Sequence, residues 1–137
     1  MKHHTIPRVI AKLTIPGIIL FGLYVQFHGD YGPGGGFQAG VIIGAAMILY
    51  GLIFGLDDLR NVAPQKIVTL LVAIGFLLYA GVGVVTQILG ANFLEYGVLA
   101  HSQKDGQHIG IILVEIGVGI TVAAVMITIF YMFAGRK

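Results

Sequence analysis

The chain has 137 residues, of which 57% are hydrophobic and 10% are charged, whereas a soluble domain carries about 25% charged residues. A soluble fold of this size would expose much apolar surface to water, so the composition predicts an integral membrane protein. The absence of cysteine excludes disulfide, iron–sulfur and zinc-thiolate chemistry. A formal net charge of +2 is too small to indicate a nucleic-acid partner.

Four apolar stretches are long enough to cross a hydrocarbon core of about 30 Å as helices. They cover residues 6–27, 37–56, 67–89 and 108–133. The chain is therefore predicted to be an all-α membrane protein with a single membrane domain over residues 1–137. The connections between the spans are too short to form a catalytic domain. We expect no enzymatic chemistry in this chain, no cofactor and no metal site.

The basic residues predict how the spans are oriented. If the loops alternate between the two sides of the membrane, seven lysines and arginines fall on one side: Lys2, Arg8, Lys12, Arg60, Lys66, Arg136 and Lys137. Only Lys104 falls on the other side. Cytoplasmic loops are enriched in lysine and arginine, so both termini and the second loop, residues 57–66, are predicted to be cytoplasmic. That second loop is expected to be an ordinary polar turn.

The first loop has a glycine-rich sequence that extends from His28 to Gly40. Gly34, Gly36 and Ala39 match the dinucleotide-binding pattern G-x-G-x-x-A. That pattern requires a preceding strand, whereas this segment follows a predicted membrane helix. The context therefore excludes a nucleotide site.

The same segment permits a structural and a functional interpretation. Gly36, Gly40 and Gly44 are spaced by four and form a small-residue stripe, which is typical of close contact between membrane helices. The structural interpretation is a rigid hairpin that locks the subunit to neighbouring helices. In the functional alternative, the segment is non-helical and lies near an ion path, where His28 or Asp30 takes part.

A specific motif in this loop joins a histidine–glycine pair to a proline, three glycines, a phenylalanine, a glutamine and a small residue. The residues are His28, Gly29, Pro33, Gly34, Gly35, Gly36, Phe37, Gln38, Ala39 and Gly40. The motif resembles the signature of the B subunit (MrpB/MnhB-like) of Mrp-type multisubunit Na+/H+ antiporters. The length of the chain and its four-helix layout agree with that family over nearly the whole sequence.

The resemblance implies a subunit of a hetero-oligomeric antiporter in the plasma (inner) membrane of a prokaryote. Such a complex expels Na+ at the expense of the proton gradient, and the partners of this chain would be its other membrane subunits and the lipid bilayer. Related subunits occur in membrane-bound hydrogenase complexes, which is an alternative in which other chains carry the electrons. A small homodimeric proton-coupled exporter is a third possibility, but such exporters keep their essential glutamate in the first helix.

Glu115 is the only ionisable residue well inside a predicted span. It lies about 10 Å of helix rise beyond His108, in the outer third of the membrane. A charge at the bilayer centre costs about 2.5–3.5 kcal/mol on insertion scales, so such a residue faces protein or water. The Glu115 carboxyl is a candidate to carry a proton, or to release it and hold a sodium ion. The structural alternative is a hydrogen bond to Gln87 or to a partner subunit, and His101 and His108 are either loop residues or an entrance that titrates near neutral pH.

The fourth span has two nearly opposite faces, and each of them includes small or polar residues. One face contains His108, Ile111, Ile112, Glu115 and Gly119. The other contains Gly110, Gly117, Thr121 and Thr128. Protein or water is therefore expected on both sides of this helix. A four-helix monomer does not easily supply both contacts, so the pattern predicts neighbouring subunits.

Overall fold

The computed structural model describes residues 3–29 and 32–136, and within these ranges the protein is helical and contains no strands. Its helices are α1 (Thr5–His28), α2 (Gly36–Phe54), α3 (Leu56–Val62), α4 (Gln65–Ile88), a 3-10 helix (Tyr96–Leu99) and α5 (Gln103–Ala134). Four of them, α1, α2, α4 and α5, are long and apolar enough to cross a membrane. The predicted fold class is therefore confirmed.

Two connections differ from the sequence prediction. The second loop contains α3 and is not an ordinary polar turn, because Leu59 is fully buried and anchors this short helix against the bundle. The last helix begins at Gln103, five residues before the predicted start of the span. The Ser102 hydroxyl accepts a hydrogen bond from the Asp105 amide at 3.5 Å, and such a cap extends the helix into polar sequence.

The long helix α5 occupies the middle of the bundle. It packs against α4 on one side and α2 on the other, and α1 packs mainly against α2. On the α4 side the backbones approach closely, since a Cβ added at Gly75 would lie 2.8 Å from the Gly117 carbonyl oxygen. Both faces of α5 are therefore covered by helices of the same chain. The expectation that a four-helix monomer does not easily supply these contacts is wrong.

Basic and aromatic residues meet at the end of the bundle that holds α3. The Tyr131 hydroxyl donates a 2.6 Å hydrogen bond to the Ala63 carbonyl oxygen, which ties α5 to the α3–α4 corner. Arg60 lies over the Tyr131 ring at 5.8 Å, and Arg8 lies over the Phe54 ring at 5.5 Å. Arg8 and Arg60 are thus at the same end of the bundle. Lys2 and Lys137, which the charge pattern assigns to this side, lie outside the described residues.

Candidate functional site

The connection between α1 and α2, residues 29–35, is here called the glycine turn. It folds back on the end of α1, because the Gly35 amide donates to the Val25 carbonyl oxygen at 3.2 Å and the Gly32 amide donates to the His28 carbonyl oxygen at 3.1 Å. Gly34 and Gly35 have φ angles of 154° and 129°, which favour glycine. A Cβ at Gly34 would lie 2.8 Å from the Val25 carbonyl oxygen, so there is no room for a side chain.

The Glu115 carboxylate rests directly on the glycine turn. A Cβ added at Gly29 would lie 3.1 Å from Glu115 Oε2, and one added at Gly35 would lie 3.1 Å from Glu115 Oε1. A Cβ at Gly36 would run into the backbone carbonyl oxygen of Glu115. Gly29 and Gly35 thus leave space for both carboxylate oxygens of a residue about eighty positions later in the chain, and Gly36 leaves space for its backbone.

The position of α2 determines which sign of charge is favoured at this contact. The helix begins at Gly36, beside the carboxylate of Glu115. The first amide groups of a helix have no partner within the helix, and the helix dipole places partial positive charge at that end. The start of α2 therefore favours a negative charge at Glu115.

The glycine turn lies well below the end of the α4–α5 hairpin. Glu115 is twelve residues beyond Gln103, where α5 begins, and this corresponds to about 18 Å of helix rise. The turn packs at the level of Glu115, so its non-helical backbone is recessed by a similar distance. Irregular backbone at membrane depth is tolerated where it is buried in protein or lines a water-filled cavity. Glu115 itself is half-buried.

The histidines that are candidates for an ion path lie at different distances from the Glu115 carboxylate. His28 is half-buried, and its ring stacks on Tyr24 with the centroids 5.2 Å apart. Its Nε2 lies 3.0 Å from the position that a Cβ of Gly32 would occupy, so the ring covers the glycine turn. His108 is half-buried two helical turns from Glu115, towards the start of α5. Asp30 lies outside the described residues.

The remaining motif residues divide into exposed and packed positions. The exposed side chains are Pro33, Phe37 and Gln38. The glycine stripe packs on α5, since a Cβ at Gly40 would lie 2.7 Å from the Gly119 carbonyl oxygen and one at Gly44 would lie 3.2 Å from Met126 Sδ. The stripe thus makes the close helix–helix contact that its spacing by four predicts, and the helix that it meets is α5 of the same chain.

Two features of the site differ from the sequence interpretation. Gln87, considered as a hydrogen-bond partner of Glu115, is exposed near the end of α4, while Glu115 faces the α2 side of α5. The structure adds Gln26 to the site, since its side chain is 9% exposed and its Oε1 lies 2.5 Å from the position of a Gly119 Cβ. A glutamine within an apolar span is the signal that could have identified it.

Together the fold and the site define a multi-pass membrane protein in which a carboxylate of one spanning helix meets a glycine turn between two others. The chain belongs to the family described as a domain related to the MnhB subunit of Na+/H+ antiporter, whose model matches residues 6–128. The predicted resemblance is therefore confirmed.

Similar proteins of Staphylococcus extend the match over nearly the full chain. The protein designated antiporter subunit mnhB2 of Staphylococcus haemolyticus (strain JCSC1435) is 30% identical over 139 aligned residues, which cover 99% of this chain and 98% of the relative. The protein of the same designation from Staphylococcus aureus (strain Newman) shows the same identity and coverage. The similarity therefore includes all four spanning helices and the glycine turn.

Proposed function

We propose that this chain is a subunit of a multisubunit secondary Na+/H+ antiporter in a bacterial plasma membrane, where the complex expels Na+ at the expense of the proton gradient. Membership of the MnhB-related family and full-length similarity to antiporter subunits support this proposal. The other membrane subunits of the complex are its partners. The chain contributes to ion transport and performs no catalytic chemistry of its own.

The contact between Glu115 and the glycine turn is the observation that carries the role of this chain in transport. A carboxylate binds either a proton or a cation, and mutually exclusive binding is what exchange of one ion for the other requires. Carboxylate and carbonyl oxygens are the ligands that hard cations prefer. The turn places backbone groups beside both oxygens of Glu115, at a depth where they meet protein or water.

We further propose that both termini and α3 are cytoplasmic, so that the glycine turn opens towards the outer side. The excess of lysine and arginine on one side supports this orientation. Arg8 and Arg60 gather at the end of the bundle that holds α3, whereas Lys104 is in the first turn of α5 at the opposite end. In this orientation Glu115 is reached from the outside, and His108 lies along the approach.

Substitution of Glu115 tests the proposal in the assembled complex. We expect Glu115→Gln and Glu115→Ala to reduce Na+-dependent proton exchange in everted membrane vesicles by at least about tenfold, which corresponds to about 1.4 kcal/mol, while the complex still assembles. Glu95→Gln is the matched control, because Glu95 is an exposed loop carboxylate, and it should exchange ions like the wild type.

Two other results would contradict an ion-pathway role for Glu115. If both Glu115 variants assemble and exchange ions normally, no transported ion depends on this carboxylate. If both variants lose the complex from the membrane, Glu115 is a structural group that holds the glycine turn in place.

A further inference from the structure

A groove of about 430 Å³ opens along the bundle between α1, α2, α5 and the α3–α4 corner. Its walls are apolar and include Leu23, Ile43, Met47, Ile67 and Ile120. The groove exists because α1 packs mainly on α2, while α4 packs on the other side of α5. It is separate from the glycine turn, which lies closer to the outer end of the bundle.

Among the described residues, Gln26 is the only polar side chain that lines this groove. It is 9% exposed, and none of the side-chain hydrogen bonds between described residues involves its amide. Among those residues no fully enclosed side-chain nitrogen or oxygen lacks a partner, so the Gln26 amide is open to the groove that it lines. Buried polar groups in proteins are almost always hydrogen-bonded, because an unpaired amide in apolar surroundings costs several kcal/mol. The groove therefore lacks a group that pairs with the Gln26 amide.

The depth of Gln26 determines which groups can reach it. Its Oε1 lies against Gly119, which is sixteen residues from the start of α5 and fifteen residues from its end. These separations correspond to about 24 Å and about 22 Å of helix rise. A lipid in the groove would present only hydrocarbon at this level, since its ester and head groups lie at the membrane interface. A side chain on a spanning helix can present a hydrogen-bonding group at any depth.

We propose that the groove seats a spanning helix of another subunit, and that a serine, threonine, asparagine or glutamine of that helix hydrogen-bonds to Gln26. Gly40, Gly119 and Ala123 line the groove, and small residues allow the backbones of membrane helices to approach closely. This assignment rests on the proposed function, because it requires a hetero-oligomeric complex. It goes beyond that function by identifying the surface used and the chemistry of the partner helix.

Site-specific cross-linking in the complete complex tests the position of the partner. The chain contains no cysteine, so Ile67→Cys on the groove can be labelled with a photoreactive maleimide. Leu70→Cys is the matched control, because Leu70 is on the same helix and is 57% exposed, against 52% for Ile67, but does not line the groove. We expect Ile67→Cys to cross-link to another subunit in high yield and Leu70→Cys to give at least about fivefold less of that product.

A substitution at Gln26 tests the chemistry of the contact. Hydrogen bonds between membrane helices contribute about 0.6–1.7 kcal/mol, so Gln26→Leu should weaken retention of the cross-linked subunit by about threefold to twentyfold. Gln26→Asn should retain more of that subunit than Gln26→Leu. If the wild type, Gln26→Leu and Gln26→Asn retain the partner subunit equally, the hydrogen-bond assignment is overturned.

The outcomes separate this inference from the proposed function. If the complex purifies intact and exchanges ions, but Ile67→Cys labels only phospholipid or a second copy of this chain, the groove assignment is overturned and the proposed function stands. If the chain purifies without other subunits and no vesicle preparation shows antiport, both the proposed function and the groove assignment are overturned.

Discussion

The two connections at the end of the bundle opposite α3 use glycine in different ways. In the glycine turn, the glycines belong to the connection itself and make room for the backbone and for the Glu115 carboxylate. At the connection between α4 and α5, residues 89–102, rings from the loop pack onto glycines of the two helices. A Cβ at Gly83 would run into Phe93, and one at Gly110 would run into Tyr96.

Side-chain hydrogen bonds complete the α4–α5 connection. The fully buried Thr86 hydroxyl donates to the Gly83 carbonyl oxygen at 2.7 Å and accepts from the Leu94 amide at 3.0 Å. Leu94 has a φ angle of 61°, an uncommon value for a residue with a side chain. One hydroxyl thus holds the loop in a conformation that places Phe93 on α4.

Contacts made by rings can adjust to an added methyl group, whereas contacts between two backbones cannot. A phenylalanine ring can rotate away from a new methyl group, whereas a helix backbone in contact with another backbone can only move as a whole. The contact of Gly36 with the Glu115 backbone therefore fixes how α2 sits on α5 beside the carboxylate. In the α4–α5 connection the ring contact of Phe93 with Gly83 tolerates small shifts, whereas a Cβ at Gly106 would lie 2.5 Å from the Tyr96 carbonyl oxygen, which is again a backbone contact.

The largest effect is expected from Gly36→Ala. The added Cβ would run into the Glu115 carbonyl oxygen, so α2 must separate from α5 and the carboxylate loses its support. We expect at least a tenfold loss of assembled complex, or about 1.4 kcal/mol, measured by blue-native electrophoresis and by antiport in vesicles. Gly81→Ala is the control, because nothing lies within 4 Å of a Cβ added there. A Gly36→Ala complex with normal assembly and exchange would contradict the backbone contact.

A smaller effect is expected from Thr86→Val in the α4–α5 connection. The change removes the hydroxyl and leaves the Leu94 amide without its acceptor, which should lower the free energy of unfolding by about 1–3 kcal/mol. Thermal unfolding of the purified complex in detergent measures the resulting fall in Tm. Thr69→Val is the control, since the exposed Thr69 hydroxyl bonds only within its own helix. Equal Tm values for the two variants would show that Thr86 does not hold the loop.

The smallest effect is expected from Tyr96 and appears only at alkaline pH. Burial, and secondarily the nearby Tyr79, raise the pKa of the Tyr96 phenol above its ordinary value of 10.0. Because the folded pKa is raised, this stabilisation is fully present below pH 10 and is lost as the pH rises through the folded pKa. Tyr96→Phe should remove this part of the pH dependence of Tm, whereas Tyr50→Phe at the other end of the bundle should retain it. Identical alkaline profiles for both variants would contradict this assignment.

Local patterns in the sequence predicted the spanning helices and part of the site. The hydropathy of each span and the position of Glu115 within the fourth span follow from residues close together in the chain. The predictions that failed concern distant contacts. The second loop forms α3 because Leu59 is buried by residues of other helices, and α5 is covered on both faces by α2 and α4.

The sequence by itself determined that this protein is a bundle of four membrane helices, and its glycine motif indicated the family. Hydropathy and glycine content act locally, so they can be read along the chain. Only the tertiary structure decided that the glycine turn receives Glu115 and that Gln26 faces a groove. The glycine turn and Glu115 are about eighty residues apart in the sequence. The packing of the whole bundle decides which helix face each glycine stripe contacts.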